Sequence, residues 1–110
     1  MSMRIVYTDQ ARQDLKRIYE YIAYSLQSPQ VARKMYQKLT RSARSLEHMP
    51  ERNPLYREQP WREQGVRFLP VQNYLLFYTV NQETNTVTIA RILYGGMDIS
   101  RQLEESIETR

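Results

Sequence analysis

The residues of this chain that could do chemistry are cations and phenols. Arg67, Arg91 and Tyr94 lie on or beside predicted strands. There a guanidinium could stabilise charge on a phosphate while a nearby acid–base group moved protons. Such a set could cleave a phosphodiester without a metal ion. Side chains alternate along a strand, which places Arg91 and Tyr94 on opposite sides, so the two need not share a site.

The rest of the composition excludes most other catalytic classes. The chain has no Cys, a single His at position 48 and three Gly. This excludes thiolate nucleophiles, disulfides, cysteine-ligated metal sites, multi-histidine metal sites and a glycine-rich phosphate loop. The twelve acids are scattered, so we expect no metal site and no cofactor. We interpret His48, at the end of a basic helix, as an ordinary surface residue.

The length of 110 residues leaves room for one domain, residues 1–110, with one modest core. No segment approaches the roughly 20 apolar residues that cross a bilayer. Residues 1–9 lack the apolar middle of a signal peptide. We therefore expect no membrane partner and a cytoplasmic location.

The distribution of charge points to a macromolecular partner. Residues 1–62 carry twelve Lys or Arg against six acids, a net charge of +6, and residues 63–110 carry four against six, a net charge of −2. Such asymmetry indicates a basic face suited to nucleic acid or to an acidic protein. A solvated helix surface would also explain each of these charges taken singly.

The periodicity of apolar residues predicts the order β, α, α, β, β, β and a short final α. Predicted strands cover residues 4–7, 66–71, 74–81 and 86–94, and predicted helices cover 9–26, 29–49 and 98–109. The first two helices must form an antiparallel hairpin because only a short gap separates them. We therefore expect an α+β fold: an N-terminal strand and an α-helical hairpin packed on one face of a small, mostly antiparallel four-stranded sheet, with a short C-terminal helix. The other face of the sheet is expected to be exposed.

Two irregular segments carry further candidates. Residues 50–65 hold three prolines and many charges, which predicts an irregular connection. Trp61 within it would either cover the edge of the core, the favoured interpretation, or anchor a partner. Gly95 and Gly96 can adopt positive φ at little cost, which would let the chain leave the sheet edge sharply and start the final helix at Asp98. The surface of that turn would offer Arg91, Tyr94 and Met97 as contact candidates.

The order and spacing of these segments resemble the ParE/RelE toxins of bacterial type II toxin–antitoxin systems. The resemblance rests on RIVYTDQARQDLKRIYEYIA, GVRFLPVQNYLLFYTVN and IARILYGGMDIS, and it covers nearly the whole chain. It implies a small basic cytoplasmic toxin with a helical hairpin on an antiparallel sheet. It also implies a cognate antitoxin whose mostly acidic segment wraps the toxin and holds it inactive.

The superfamily that the chain resembles contains two activities. RelE-like members are ribosome-dependent messenger RNA endonucleases, whereas ParE-like members poison DNA gyrase without an established catalytic site. The nuclease branch typically has an Arg where this chain has Leu75, two Lys on the strand where it has only Arg67, and a Tyr near the C-terminus, where nothing aromatic follows Tyr94. VRFLPV, YLLFY and RILYGGMDI instead resemble the ParE branch.

The resemblance therefore implies a gyrase inhibitor of the plasmid-stabilisation type with no catalytic residue. The candidates for partner contact are Trp61, Arg67, Arg91, Tyr94 and Met97. The alternative is an endonuclease acting on ribosome-bound messenger RNA with Arg67, Arg91 and Tyr94 as its catalytic residues. A degenerate member that keeps only antitoxin binding is a third possibility.

Overall fold

A computed structural model describes residues 2–96 together with Ile99, Arg101 and Leu103. Its elements are β1 (Arg4–Tyr7), α1 (Asp9–Glu20), α2 (Pro29–Arg44), β2 (Arg67–Val71), β3 (Tyr74–Asn81) and β4 (Thr86–Tyr94). The strands form one sheet in the order β1-β4-β3-β2. Strand β1 runs parallel to β4, and the other neighbours are antiparallel. The predicted α+β fold is confirmed, with a mixed sheet: the hairpin carries the chain from β1 to β2 at the far edge, and the antiparallel run β2, β3, β4 then places β4 parallel to β1.

The predicted helix 9–26 is observed in two parts. Thr8 is the N-cap of α1, and its side chain accepts a hydrogen bond from the Ala11 N–H. The α-helix ends at Glu20 and continues as a π-helical segment, Tyr21–Ser25. The π-helical segment leaves Leu26 55% exposed at its end, and the helical spacing of apolar residues could not by itself distinguish the two helix types.

The second helix begins where the sequence predicts and ends earlier. Pro29 occupies the first turn of α2, but Ser28 makes no side-chain capping bond. The α-helix ends at Arg44 and a 3₁₀ turn follows over Ser45–Glu47. Met49 then takes a left-handed conformation with φ of 49°, which stops helical continuation before Pro50.

The main core lies between the hairpin and one face of the sheet. Its buried members come from α1, α2, the 3₁₀ turn and the strands, and include Ala11, Leu15, Leu39, Ala43, Leu46, Leu76, Tyr78, Val87, Ile89 and Ile92. The hairpin contributes both small and large apolar residues to this core, Ala11 and Ala43 together with Leu15 and Leu39.

The prediction that the second face of the sheet is exposed is wrong for part of that face. Trp61 folds back from the 50–65 connection and is only 3% exposed. It joins Phe77, Leu93, Ile99 and Leu103 in a second buried cluster. A large indole in a polar segment gains more from covering Phe77 than from remaining in water, which explains this arrangement.

Strand β4 contains a β-bulge that the sequence pattern did not predict. Tyr78 pairs with Ile89 and Phe77 pairs with Arg91, so Ala90 has no partner residue on β3. Because of the extra residue, Ile89 and Ile92 both face the hairpin. The alternation is therefore interrupted at Ala90 and resumes from Arg91, since Ile92 joins the main core and Leu93 joins the second cluster.

The two glycines that follow β4 differ from the sequence-based expectation in their backbone conformation. Among the described glycines only Gly65 has a positive φ, of 77°, so the positive φ expected at Gly95 and Gly96 is not observed. A Cβ at position 96 would lie 2.6 Å from Tyr94 Cε2, so a larger residue there would have to displace the half-exposed Tyr94 ring. Most of the predicted helix 98–109 lies outside the described residues. In the part of the chain that the structure describes, no helix is long and apolar enough to cross a membrane.

Candidate interaction surface

Arg91 is held inside the molecule by Asp14 of α1. Arg91 Nε donates to Asp14 Oδ2 at 2.8 Å and Arg91 Nη2 donates to Asp14 Oδ1 at 3.0 Å. The two side chains are only 10% and 5% exposed. Asp14 Oδ2 also accepts the backbone N–H of Ile92 at 2.9 Å. One carboxylate therefore neutralises a buried guanidinium and satisfies a backbone group of β4.

The position of α1 explains why Asp14 meets β4. Strand β1 ends at Tyr7, which pairs with Ile89, so β1 does not extend along the later residues of β4. The start of α1 takes over that edge. The Thr8 N–H donates to the Ile89 carbonyl at 3.0 Å, and Thr8 Oγ1 donates to the Ala90 carbonyl at 2.8 Å. Farther along the same edge, Asp14 accepts the Ile92 N–H.

Arg67 is tied to the segment that precedes β2. Arg67 Nη1 donates to the Asn53 carbonyl at 2.6 Å and to the Glu51 carbonyl at 3.2 Å. Its Nη2 lies 3.6 Å from Glu51 Oε2. The hydroxyl of Tyr78 donates to the Pro50 carbonyl and accepts from Asn53 Nδ2. These bonds anchor the irregular connection to the sheet.

The other predicted contact residues differ in their exposure. Trp61 lies in the second core cluster, as its favoured interpretation predicts, and a contact between Trp61 and a partner stays a prediction. Tyr94 is 49% exposed. Its ring makes an edge contact with Tyr74, with centroids 5.9 Å apart. Met97 lies outside the described residues.

An apolar groove, which we call the hairpin groove, runs between the helical hairpin and the ends of β3 and β4. Its volume is about 740 Å³. Ile18, Tyr21, Leu26, Val31, Tyr74 and Tyr94 form much of its lining, and the Asp14–Arg91 pair also borders it. Arg91 and Tyr94, which the alternation of β4 placed on opposite sides, both line this groove, Arg91 where it pairs with Asp14 of α1.

The hairpin groove holds more than half of the large exposed apolar residues in the described part of the chain. Seven large apolar residues are exposed in the described part of the chain. Four of them line this groove: Tyr21 at 56%, Leu26 at 55%, Val31 at 49% and Tyr94 at 49%. Apolar residues scattered singly over a surface need no explanation, but a contiguous group marks a binding surface.

The open part of the second sheet face is a polar cleft with different chemistry. Its volume is about 820 Å³, and Gln64, Thr79, Asn81, Glu83 and Thr88 are among the residues that line it. No Lys or Arg is found among its described lining residues. Binding of a nucleic-acid backbone depends on such cations. The described lining of the cleft therefore lacks the cations on which phosphate binding depends.

The tyrosines whose pKa values are perturbed are unsuited to act as bases. Burial is the main cause that raises the pKa of Tyr7, Tyr74 and Tyr78. A raised pKa keeps the phenol protonated at neutral pH, so these hydroxyls can donate hydrogen bonds but cannot accept a substrate proton. Among the described residues, no group of three or more His, Asp or Glu could hold a metal ion.

Comparison with known protein families assigns the chain to one of them. The family model of the ParE toxin of the type II toxin–antitoxin system parDE matches residues 5–99. This range includes the hairpin, the three later strands and the bulge. The chain belongs to the ParE toxin family. The resemblance drawn from the sequence is thereby confirmed, whereas a search of curated proteins finds no match.

Solved structures with the same fold come from both branches of the superfamily. The chromosomal ParDE toxin–antitoxin system from P. aeruginosa gives a TM-score of 0.69 at 23% identity, covering 84% of this chain and 96% of the other. The RelBE2 toxin–antitoxin complex from Mycobacterium tuberculosis gives 0.65 at 20% identity, covering 86% and 92%. A double mutant of the E. coli toxin RelE in the free state gives 0.65 at 14% identity, covering 99% and 98%. At these identities the likeness shows a shared fold.

Sequence reasoning missed Asp14 and the hairpin groove. Asp14 stands three residues after Ala11 and four before Ile18, on the apolar stripe of α1. An acid on such a stripe signals a buried partner. The groove carried a weaker signal in Leu26 and Val31, two large apolar residues on either side of the hairpin turn, where polar residues are usual.

Proposed function

We propose that this ParE-family toxin inhibits DNA gyrase by protein–protein contact and is neutralised by a cognate antitoxin. The observation that carries the proposal is the use of both candidate catalytic arginines for internal contacts. Arg91 binds Asp14 through two nitrogens, and Arg67 binds the backbone of the 50–53 segment. Neither arrangement directs a guanidinium toward a common substrate position.

The free energy of these contacts opposes a role in phosphate binding. Removing a buried carboxylate from its cation typically costs about 3–5 kcal/mol. A phosphate that captured Arg91 would leave the buried Asp14 carboxylate without its cation and would have to compensate for that loss. Arg67 and Arg91 also contact different elements, the 50–53 segment and α1. A phosphodiesterase needs its cations to converge on one phosphate.

An antitoxin partner is supported by the related structures and by charge. The P. aeruginosa ParDE system and the M. tuberculosis RelBE2 complex both join a toxin to an antitoxin. In this chain the hairpin region, residues 9–44, carries eight Lys or Arg against three acids, a net charge of +5. Such a surface favours an acidic protein segment. The proposal places this chain in the cytoplasm, together with gyrase.

Induction of the toxin in bacteria tests the proposal. The expected result is growth arrest accompanied by loss of negative supercoiling in a reporter plasmid, followed by a DNA damage response, while pulse-labelled protein synthesis continues at first. Co-expression of the antitoxin encoded beside the toxin gene should abolish these effects. An immediate stop in translation with intact supercoiling would contradict the proposal.

The alternative is an endonuclease acting on ribosome-bound messenger RNA with Arg67, Arg91 and Tyr94. The observation in its favour is the fold shared with E. coli RelE over 99% of this chain. Cleavage of messenger RNA by the purified protein in a translation mixture would establish it. Unchanged growth after induction would instead support a degenerate member.

A further inference from the structure

We propose that the solvent-facing side of α2 binds the phosphate backbone of duplex DNA. The inference goes beyond the proposed function, because the contact with DNA does not require gyrase. It rests on the proposed function in one respect, the choice of DNA over RNA, since gyrase acts on DNA. We call this surface the α2 basic face, and its exposed side chains are Arg33, Lys34, Gln37, Lys38, Arg41 and Arg44.

The net charge of the hairpin region lies entirely on α2. Helix α1 carries three Lys or Arg against three acids, a net charge of 0, whereas α2 carries five against none, a net charge of +5. Residues 21–28, between the two helices, carry no charged side chain. The second helix therefore presents a surface of one sign, which attracts polyanions.

Helical spacing places the five cations of α2 on the side that faces away from the core. The buried residues of this helix are Ala32, Leu39 and Ala43. Arg41 points away from the mean direction of these three, and the other four cations lie within about 80° of Arg41 around the helix axis. From Arg33 to Arg44 the helix rises by about 16 Å. The charges thus form one continuous exposed patch.

These cations have no acid to neutralise them. Among the described residues, no ion pair involves a side chain of α2. Lys38 lies four residues after Lys34 and three before Arg41, so like charges are neighbours on the helix surface and repel one another. The helix dipole favours Arg41 in the last turn but gives no such gain to Lys34 or Lys38. A bound polyanion would convert this repulsion into attraction.

The lack of apolar surface between the cations favours DNA over an acidic protein. The large exposed apolar residues of α2 are Val31 and Tyr36. Val31 precedes the cations and borders the hairpin groove, and the Tyr36 ring packs edge-on against Tyr19 with centroids 6.5 Å apart. Specific protein interfaces have an apolar centre inside a polar rim. Contacts to a DNA backbone need only cations and hydrogen-bond donors, which is what the α2 basic face offers.

The shape of the α2 basic face favours a duplex over a single strand. Proteins hold single strands in grooves where aromatic side chains stack on the bases. The α2 basic face is one side of a helix, so it is convex, and no aromatic residue belongs to it. A duplex carries one phosphate charge per about 1.7 Å of its axis, so a patch about 16 Å long meets several phosphates. Phosphates carry no sequence information, so we expect binding to be independent of base sequence.

An acidic antitoxin segment and DNA need not use the same cations. Helix α1 offers the exposed side chains of Arg12, Lys16 and Arg17. The field of α2 also steers an acidic segment toward the hairpin without direct contact. The inference is therefore consistent with an antitoxin partner.

Fluorescence anisotropy with the purified toxin and a labelled DNA duplex of about 20 bp tests the proposal. Lys34→Gln/Arg41→Gln removes two charges from the α2 basic face. The control, Arg57→Gln/Arg62→Gln, removes two exposed charges from the 50–65 connection, which covers the other face of the sheet through Trp61. All four positions are exposed, so both variants should fold, and circular dichroism melts check this.

We expect the wild-type toxin to bind the duplex with a Kd of about 1–100 μM at physiological salt. Lys34→Gln/Arg41→Gln should weaken binding by about 10-fold or more at low salt, and the control by less than about 3-fold. The logarithm of the binding constant should fall with the logarithm of salt concentration with a slope of about −4, as expected for about five phosphate contacts. The first variant should reduce the magnitude of that slope by about 2 and the control should leave it unchanged, because only cations that contact phosphates release counterions.

Equal affinities and equal salt slopes for the two double variants would overturn the proposal. Poly-glutamate bound through Lys34 and Arg41 more tightly than the duplex would overturn it and assign the surface to an acidic protein. Single-stranded DNA or duplex RNA bound about 10-fold more tightly than duplex DNA would overturn it as well.

Inhibition of gyrase is measured separately, so the two proposals fail independently. A toxin that inhibits supercoiling but does not bind the duplex would overturn this inference and leave the proposed function intact. A toxin that binds the duplex through Lys34 and Arg41 but leaves supercoiling unimpaired would support this inference and contradict the proposed function.

Discussion

Replacement of Asp14 by alanine is the perturbation whose consequence the structure defines most sharply. The change leaves the Arg91 guanidinium, on a residue only 8% exposed, without its carboxylate. It also leaves the Ile92 N–H without its acceptor. A buried cation that loses its partner destabilises a protein by about 3–5 kcal/mol. An orphaned backbone N–H accounts for about 1–3 kcal/mol of such losses.

We expect Asp14→Ala to lower the free energy of unfolding by about 3 kcal/mol, the lower end of that range. Arg91 borders the hairpin groove, so its guanidinium can turn toward water and recover part of its solvation. A small domain is stable by about 5–15 kcal/mol, so the variant should still fold. The double variant Asp14→Leu/Arg91→Met removes both charges together, and we expect it to be more stable than Asp14→Ala.

Urea unfolding followed by tryptophan fluorescence measures these differences. Trp61 is the single Trp of the chain and is buried, so its emission should report unfolding directly. Lys16→Ala, at an exposed position two residues along the same helix, is the control and should lose less than about 0.5 kcal/mol. Equal stabilities for Asp14→Ala and Lys16→Ala would refute the reasoning, as would a double variant less stable than Asp14→Ala.

Two further predictions concern buried aromatic residues. Trp61→Ala should lower the free energy of unfolding by about 3–5 kcal/mol, because it leaves a cavity in the second core cluster beside Phe77. Circular dichroism in urea measures this difference. A loss below about 1 kcal/mol would mean that the cluster is not packed in solution. Tyr78→Phe should cost about 1–3 kcal/mol, because the Pro50 carbonyl and Asn53 amide lose the hydroxyl. Burial raises the pKa of Tyr78, so the folded state holds its phenolic proton more tightly than the unfolded state. Wild-type stability should be insensitive to this group below about pH 10 and fall at higher pH, and Tyr78→Phe should show a smaller fall.

The parts of the fold that depend on local patterns could be predicted from the sequence. Strands β3 and β4 were predicted with their observed ends, because runs of β-forming residues stop at polar turns. The start of α2 followed from Pro29, whose fixed φ suits a first helical turn. Trp61 was assigned to the core because a large indole in a polar segment rarely stays in water.

The parts that depend on contacts distant in sequence could not be predicted. The bulge at Ala90 arises where α1 replaces β1 along the edge of β4, and nothing in the residues around Ala90 records that replacement. The hairpin groove is lined by residues of α1, the π-helical segment, α2 and the ends of β3 and β4, so it also depends on contacts distant in sequence. Asp14 and Arg91 are separated by 77 residues. Only the fold shows that their charges meet.

An assay with purified components tests the central claim most directly. The toxin is added to DNA gyrase with relaxed plasmid and, separately, to a reconstituted translation mixture with a labelled messenger RNA. Our account predicts that supercoiling by gyrase is inhibited, that the antitoxin restores it, and that the messenger RNA stays intact. Unimpaired supercoiling together with cleavage of ribosome-bound messenger RNA would contradict it.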